Sequence, residues 1–385
     1  MSDSDNGRKL DFGTRVIHGG QRPDPLTGAV MTPIYLSSTY VQESPGVHKG
    51  YDYARTRNPT RDALQAALAD IENGTDAFAF ASGMAASSTL IDLLDSGSHL
   101  VASHDLYGGS YRLFERIRKR SAGLQVSFVD LTDPQAFEAA LRPNTRMVWM
   151  ESPTNPMLNL IDIAAIAALA RKRNIISVCD NTFATPYIQR PLDLGVDIVM
   201  HSATKYLNGH SDVLAGALCF ARDDALSARA RTIRQSHGMI LHPFEAFLLI
   251  RGLRTLDVRV RASAANALEL ANRLSNHASI SAVLYPGLPH HAGHDVAHRQ
   301  MKGGFGGMLS IRVRGGAEVA IATAARVRVW KRATSLGGVE SLIEHRASIE
   351  GPTSPCPPDL LRLSAGIEDV EDLWRDIDTA LTGSP

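Results

Sequence analysis

The sequence predicts an α/β protein: a mainly parallel sheet covered by helices on both faces, followed by a smaller α+β part. Between residues 77 and 205, short apolar runs alternate with helical patterns, which is typical of parallel strands joined by crossover helices. Beyond about residue 245 this alternation gives way to a long amphipathic segment and then to short strands and helices. A chain of 385 residues is also long enough for one large and one small domain.

We expect an N-terminal arm over residues 1–50, a large domain over 51–240 and a C-terminal α+β domain over 241–385. The arm has scattered glycine and proline and little periodicity, so it needs a surface on which to lie. Its apolar residues Ile34, Tyr35, Tyr40 and Val41 suggest that it docks, and we expect a neighbouring subunit to be that surface.

In the large domain, apolar runs that end near small or polar residues are the expected strands. They cover residues 77–80, 99–102, 126–129, 147–150, 175–178 and 198–200. The helical patterns around them cover residues 58–74, 85–94, 109–120, 134–141 and 162–172. In the C-terminal part we expect one long helix over about 244–277, strands over 308–313 and 329–333, and helices over 318–327 and 369–381.

Charge and cysteine content exclude several classes of protein. Lys plus Arg and Asp plus Glu number 40 each, so no net field would attract nucleic acid or an anionic membrane. No apolar run reaches the length of a membrane span, and the polar N-terminus has no signal-peptide core. The 3 cysteines are far apart and form no C-x-x-C motif, which favours a reducing, cytoplasmic location.

Polar residues stand where the predicted strands end: Ser82-Gly83, Tyr107, Asn155, Asp180 and Lys205. Ligands of parallel sheets bind beyond the carboxyl ends of the strands, so we expect these residues to meet. Residues 81–84 also join a strand to a helix, and the free backbone N–H groups of a helix start bind anions.

Lys205 is the most informative of these residues, because Ser202 and Thr204 precede it at the end of an apolar strand. Such an amine can condense with an aldehyde cofactor while the hydroxyls bind a phosphate. Asp180 ends the preceding strand, and a carboxylate there would keep a pyridine nitrogen protonated, which specifies pyridoxal phosphate. Alone, Lys205 could equally be a surface lysine in a polar turn, and Asp180 a capping or salt-bridged aspartate.

Three further features are less specific. Tyr53 and Arg55 alternate on an extended stretch and could bind a phosphate together, or be a packed tyrosine beside a solvated arginine. The histidine cluster of residues 290–298 has metal-like spacing but no companion carboxylate or cysteine, so we expect a loop that leads into a helix and no metal. The glycine-rich residues 302–307 precede a strand, so we expect a turn there.

A set of motifs occurs in one order from about residue 14 to the C-terminus. On these motifs the chain resembles the Cys/Met-metabolism (trans-sulfuration) group of fold-type-I pyridoxal phosphate enzymes, which includes cystathionine γ-synthase, cystathionine β- and γ-lyases and methionine γ-lyase. The resemblance implies a fold-type-I transferase with a seven-stranded sheet, and a homotetramer that is a dimer of dimers with shared active sites. The motifs are Tyr53-x-Arg55 with Asn58-Pro59-Thr60, Ser82-Gly83-Met84, Tyr107-Gly108-Gly109, ESPTNP (151–156), Asp180-Asn181-Thr182, HSATKYLNGHSD (201–212), RGLRT (251–255), Ser335-Leu336-Gly337-Gly338 and Arg362-Leu363-Ser364.

The resemblance also implies residue roles. Lys205 would hold the cofactor and then move protons between Cα and Cβ, Asp180 would pair with the pyridine nitrogen, and Tyr107 would stack on the ring and act as acid or base at the leaving sulfur. The implied phosphate ligands are the backbone at Gly83 and Met84, Ser202 and Thr204, with Tyr53 and Arg55 of a neighbouring subunit. The implied substrate residues are Arg362 at the carboxylate, Asn155 and Ser335 beside it, and Arg112 and Thr334 at the distal end.

Three positions depart from the family pattern. Gly109 stands where methionine γ-lyases usually have a cysteine, which disfavours a methionine lyase. Thr334 stands where cystathionine γ-synthases and γ-lyases often have a glutamate, which disfavours strict cystathionine γ-specificity. Arg57 replaces a small residue and adds charge near the expected subunit entrance to the site.

We therefore expect a carbon–sulfur lyase that releases the thiol of L-cystathionine or a related thioether amino acid, such as methionine or homocysteine. The products would be a 2-oxo acid, ammonia and a thiol. The same groups could catalyse γ-replacement on an O-acylhomoserine, as a cystathionine γ-synthase or an O-acylhomoserine sulfhydrylase does, and an aminotransferase is also possible. A non-catalytic pyridoxal phosphate-binding protein is the alternative from another class, although no chemical group is missing.

Overall fold

The computed structural model describes residues 10–350 and 356–383, which form two β-sheets with flanking helices. The larger sheet has seven strands in the order β1-β7-β6-β5-β4-β2-β3. Strand β7 is antiparallel to both of its neighbours, and the other neighbouring pairs are parallel. The predicted mainly parallel, seven-stranded sheet is therefore confirmed. Its strands are β1 (Asp76–Phe80), β2 (His99–Ser103), β3 (Gln125–Val129), β4 (Thr145–Glu151), β5 (Ile176–Asp180), β6 (Ile198–His201) and β7 (Gly216–Phe220).

Side chains on both faces of this sheet are buried, because successive residues of a strand point to opposite faces. Along β4, Met147 and Trp149 pack into the core beneath one helical layer, and Val148 and Met150 pack into the core on the other face. The Trp149 ring meets the Phe114 ring edge-on, with 5.2 Å between the centroids. A sheet buried on both faces is the architecture expected from crossover helices.

Helices α1 to α9 accompany the larger sheet. Helix α2 begins as predicted, because the Asn58 side chain accepts hydrogen bonds from the backbone N–H groups of Thr60 and Arg61. The predicted helix over 109–120 is a continuous helical stretch from α4 to α5 that includes a π-helical segment, Leu113–Arg118. The helices are α1 (Phe12–His18), α2 (Pro59–Ile71), α3 (Gly83–Ile91), α4 (Gly108–Arg112), α5 (Lys119–Ala122), α6 (Pro134–Ala139), α7 (Ile163–Lys172), α8 (Thr185–Ile188) and α9 (Ala225–His237).

The smaller sheet has five strands in the order β10-β11-β12-β9-β8, all from the last third of the described chain. The strand predicted over 329–333 is only two residues long in the structure, whereas the predicted strand over 308–313 is confirmed. The strands are β8 (Ile280–Leu284), β9 (Met308–Val313), β10 (Lys331–Arg332), β11 (Leu342–His345) and β12 (Leu360–Ser364). The helices are α10 (Pro243–Leu253), α11 (Leu256–Ser275), α12 (His294–Gln300), α13 (Ala317–Arg326), α14 (Arg346–Glu350) and α15 (Val370–Thr382).

The prediction of one long helix over 244–277 is wrong, because α10 and α11 are separate helices. The helix is interrupted at Arg254 and Thr255. There the carbonyl of Gly252 accepts hydrogen bonds from the Thr255 hydroxyl and the Arg259 guanidinium. These side chains provide the end of α10 with partners that a continuing helix would have supplied. None of the helices in the two described ranges is long and apolar enough to cross a membrane.

Candidate active site

A cavity of about 500 Å³ lies beyond the carboxyl ends of the larger sheet's strands, and the smaller sheet lines its other side. This position confirms that the residues at the strand ends meet, because the ends of parallel strands share one edge of a sheet. The sequence-predicted site residues that line it are Gly83, Met84, Tyr107, Arg112, Asn155, Asp180, Ser202, Thr204, Lys205, Thr334, Ser335 and Arg362.

Tyr53 and Arg55 lie outside this cavity. The Arg55 guanidinium donates a hydrogen bond of 2.7 Å to the carbonyl of Gln235 and lies 5.5 Å from the centroid of the Tyr53 ring. Both side chains are on the exposed surface of the subunit. Arg57 is also outside, where it forms an ion pair of 2.9 Å with Asp62.

One end of the cavity is built to receive an anion. Helix α3 starts at Gly83, and the Ser82 side chain caps it by accepting a hydrogen bond from the Ala85 N–H. The N–H groups of Gly83 and Met84 in the first turn therefore have no partner within the helix. A Cβ atom at position 83 would lie only 3.0 Å from Cβ of Ser202, so glycine allows the helix start and the Ser202 turn to approach. Together these groups form a cradle of N–H donors and a hydroxyl, which is the polarity that a phosphate needs.

Two carboxyl groups lie side by side at the ends of β4 and β5, where Glu151 and Asp180 are register partners. Burial raises the pKa of Asp180, and hydrogen bonds from the Thr182 hydroxyl and N–H oppose that shift. Burial and then the Asp180 charge raise the pKa of Glu151 well above its ordinary value. Glu151 accepts a hydrogen bond of 2.8 Å from the Tyr107 N–H, so it holds the backbone of the predicted stacking residue.

The Lys205 amine lies between the two sheets and donates a hydrogen bond of 2.6 Å to the Ser335 hydroxyl. Burial, followed by the positive charge of Arg362, lowers the pKa of Lys205 to about 8. Ser335 has φ of +88°, a region that a residue with a Cβ enters at an energetic cost. The amine is therefore both positioned and more easily neutralised than an exposed lysine, which suits a nucleophile or a base.

At the opposite end from the phosphate cradle, the buried Arg362 guanidinium is held by both parts of the protein. It donates 3.0 Å to the Asn155 side-chain oxygen and 2.9 Å to the Ser335 carbonyl, and it forms an ion pair with Glu344. An arginine fixed in this way presents a planar donor set that matches a carboxylate. The cradle, the carboxyl pair, the amine and this guanidinium fit a phosphorylated pyridine aldehyde that holds an amino acid.

Sequence reasoning missed three charged residues in the cavity network: Glu151, Glu344 and Arg346. Glu151 stands in a motif quoted above, and its position at a strand end was an available indication. Glu344 and Arg346 gave no local indication, because their importance comes from the pairing of β11 with β12.

The histidine cluster lies away from the cavity. The rings of His294 and His298 meet edge-on at 4.4 Å between centroids, and both pack near Phe305. His294 begins α12 and contacts the carbonyl of Pro286 through Nδ1. Among residues 10–350 and 356–383, no group of three or more potential ligands is arranged to hold a metal ion.

The lowered pKa of Lys205 gives a test in the ligand-free protein. The Lys205 amine should become neutral as the pH rises through about 8, and not near the ordinary value of 10.5, because burial and Arg362 disfavour the charged form. Labelling with acetic anhydride at a series of pH values, followed by peptide mass spectrometry, measures the neutral fraction, with the Lys172 peptide as an internal reference. A midpoint near 10.5 would show that the amine is solvated and the site geometry is wrong.

Comparisons with known proteins identify the family of this chain. A sequence model of the Cys/Met metabolism PLP-dependent enzyme family matches residues 13–382. The chain is 50% identical to a cystathionine beta-lyase of Coxiella burnetii over 98% of this chain and 100% of that protein. It is 49% identical to a cystathionine gamma-synthase of Mycobacterium tuberculosis, over 96% of each chain. A solved cystathionine gamma-lyase of Lactobacillus plantarum, complexed with L-serine, superposes with a TM-score of 0.93 at 40% identity, over 97% of this chain and 99% of that one.

The cavity and the comparisons point to the same cofactor. The helix start, the buried Asp180 and the amine of Lys205 line one cavity, and they are groups of the kinds that suit a phosphate, a protonated ring nitrogen and an aldehyde. The family match covers nearly the whole chain, including every residue of that set. The chain therefore belongs to the Cys/Met metabolism family of enzymes, with pyridoxal phosphate as its cofactor.

Proposed function

We propose that this protein is a carbon–sulfur lyase of the trans-sulfuration type, which releases the thiol from L-cystathionine or a related thioether amino acid. The observation that carries the proposal is the Lys205 amine, which has a pKa of about 8 and is held by Ser335 beside the Arg362 carboxylate site. A base and a carboxylate anchor in one cavity are what α,β- or β,γ-elimination from an amino acid requires. Relatives named as β-lyase and γ-lyase support the same conclusion.

Each residue of the cavity has a separate role in the proposed reaction. Bound pyridoxal phosphate supplies an electron sink for negative charge that develops at the substrate's Cα. Arg362 and Asn155 hold the substrate carboxylate, while Lys205 removes the Cα proton and, for γ-cleavage, a proton from Cβ. The Tyr107 hydroxyl gives a proton to the departing sulfur, and the Glu151 carboxyl keeps the Tyr107 backbone in place through a hydrogen bond of 2.8 Å.

γ-Replacement is the second candidate, supported by the relatives named cystathionine gamma-synthase. Position 109 disfavours a methionine γ-lyase, because those enzymes usually have a cysteine there. In this structure a Cβ atom at position 109 would lie 2.3 Å from Cε1 of Tyr107. A cysteine there would displace the predicted stacking ring. Thr334 lines the cavity without a charge, so the distal end has no carboxylate at that position for a second ammonium group.

Product identification tests the proposal. With L-cystathionine as substrate we expect a 2-oxo acid, ammonia and a thiol, with pyruvate reporting β-cleavage and 2-oxobutanoate reporting γ-cleavage. Lys205→Ala is the matched control and should abolish release, because the base is absent. An enzyme that makes no 2-oxo acid but joins cysteine to an O-acylhomoserine would be a replacement enzyme, and absence of both activities would contradict catalysis.

We further propose a cytoplasmic homotetramer in which pairs of subunits share active sites. Several apolar side chains between the end of α1 and the start of α2 are exposed, with Val41 94% and Leu26 88% accessible. Such exposure in one subunit favours coverage by another.

The division into an arm (1–50), a large domain (51–240) and a C-terminal domain (241–385) is also part of this proposal. The five strands of the smaller sheet, β8 to β12, lie in the C-terminal segment.

A shared site has a direct test. Lys205→Ala and Arg55→Ala subunits should each be inactive alone, because one lacks the base and the other a phosphate ligand given to its neighbour. After mixing and exchange, some hybrid sites receive both intact residues, so part of the activity should return. Native mass spectrometry verifies the exchange, and each variant mixed with itself is the control. Verified hybrids without activity would mean that each site is built from one chain.

The distal end of the cavity should decide between substrates. Cystathionine has a second carboxylate and ammonium there, whereas methionine has a methyl group. We expect Arg112→Ala to reduce kcat/KM for cystathionine about tenfold more than for methionine, and Thr334→Glu to shift preference toward cystathionine. Arg116→Ala, on the same helical stretch but outside the cavity, is the matched control. Equal losses for both substrates in Arg112→Ala would place this arginine in the scaffold.

A further inference from the structure

A buried arginine holds the main chain that carries Tyr53 and Arg55. Arg61 lies in the first turn of α2, and its side chain is fully buried. Its guanidinium donates hydrogen bonds of 2.6 and 3.4 Å to the carbonyls of Ala54 and Arg55. A third bond, of 3.3 Å, goes to the carbonyl of Leu241, which precedes α10. Arg61 therefore ties the segment before α2 to a distant part of the same subunit.

Burial of the Arg61 charge has a free-energy cost. Burial lowers the pKa of this guanidinium, because its charged form is less stable in the protein interior than in water. Among the residues that the structure describes, its hydrogen-bond acceptors are three main-chain carbonyls. Removal of the side chain would deprive these carbonyls of their buried donor, so the segment that contains two of them would be held less firmly.

The last turn of α9 also holds this segment. The side-chain amide of Gln235 donates a hydrogen bond of 3.3 Å to the carbonyl of Thr56, and the carbonyl of Gln235 accepts one of 2.7 Å from the Arg55 guanidinium. The carbonyls of residues 54, 55 and 56 are thus all bound by Arg61 or Gln235. The side chains of Tyr53 and Arg55 are nevertheless exposed, so the main chain is fixed while these side chains remain available to a neighbour.

We propose that Arg61 is a positioning residue for the active site of the neighbouring subunit, because it fixes the backbone from which Arg55 reaches the cofactor's phosphate there. The inference rests on the proposed shared site, in which Tyr53 and Arg55 are given to a neighbour. Arg61 does not line the cavity of its own subunit, so its effect should cross the subunit boundary. A residue that merely supported its own fold would instead affect the cofactor at Lys205 of its own chain.

Cofactor retention measures this effect without any reaction. The holoenzyme is dialysed against buffer without pyridoxal phosphate, the remaining cofactor is fixed to Lys205 with borohydride, and mass spectrometry of the Lys205 peptide gives the retained fraction. Arg61→Gln should lose the cofactor about tenfold faster than wild type, because the phosphate ligand given to the neighbour is no longer held in place. Arg61→Lys keeps the charge and can still reach one carbonyl, so its loss should be smaller.

Mixed subunits show on which chain Arg61 acts. In hybrids isolated with two affinity tags, Lys205→Ala subunits should restore retention at the Lys205 of Arg61→Gln subunits, because they supply an intact segment to it. Arg55→Ala subunits should not restore retention, because neither chain then provides a well-held Arg55. Arg259→Gln is the matched control, since Arg259 is also buried and donates to two carbonyls, one of them that of Tyr206 beside Lys205 in the same chain. Any loss in Arg259→Gln should be repaired by Arg55→Ala subunits and not by Lys205→Ala subunits.

Three results would overturn the proposal: wild-type retention in Arg61→Gln, repair of this variant by Arg55→Ala subunits, or no repair by Lys205→Ala subunits. If Arg61→Gln does not fold, Arg61→Lys takes its place in the same mixtures. A hybrid of Lys205→Ala with Arg55→Ala that retains no more cofactor than Arg55→Ala alone would overturn the shared site, and this inference with it. Because no substrate is present, these outcomes are independent of whether the protein proves to be a lyase.

Discussion

The arrangement of the site depends on the contacts of the Arg362 guanidinium. A buried arginine must satisfy its donors and its charge, and Arg362 does so with Asn155 from the loop after β4 and with Ser335 and Glu344 from the smaller part. The contact with Asn155 connects two segments that are 207 positions apart in the chain. The partners that this buried charge requires therefore also bring together the two sides of the cavity.

The two ends of the cavity are suited to negative groups by different means. At the helix start, neutral N–H dipoles and hydroxyls form the cradle, and the small Gly83 permits the close approach of Ser202. At the other end, the charged guanidinium groups of Arg362 and Arg346 provide the positive field, and both contact the Glu344 carboxylate. Lys205 stands between these ends, and its lowered pKa reflects both the exclusion of water and the nearby cations.

Local patterns predicted most of the large sheet, because its strands are short apolar runs bounded by polar residues. Strand β7, Gly216–Phe220, was not predicted, since its sequence GALCF consists of small and apolar residues without the alternation or β-branched residues that mark a strand. The break between α10 and α11 was also missed. It is made by the Arg259 side chain, which reaches back to Gly252, and such a contact has no counterpart in helical periodicity.

By itself, the sequence determined the chemical groups and their order: a lysine with hydroxyls, a strand-ending aspartate and a helix start suited to an anion, each at the end of a predicted strand. The tertiary structure decided how strongly these groups are perturbed and which others join them. Lys205 meets Ser335 across 130 positions, and the Glu344–Arg362 ion pair forms only when β11 pairs with β12. The physical reason is that pKa and charge balance depend on burial and on neighbours in space, which residue types and spacing along a chain do not specify.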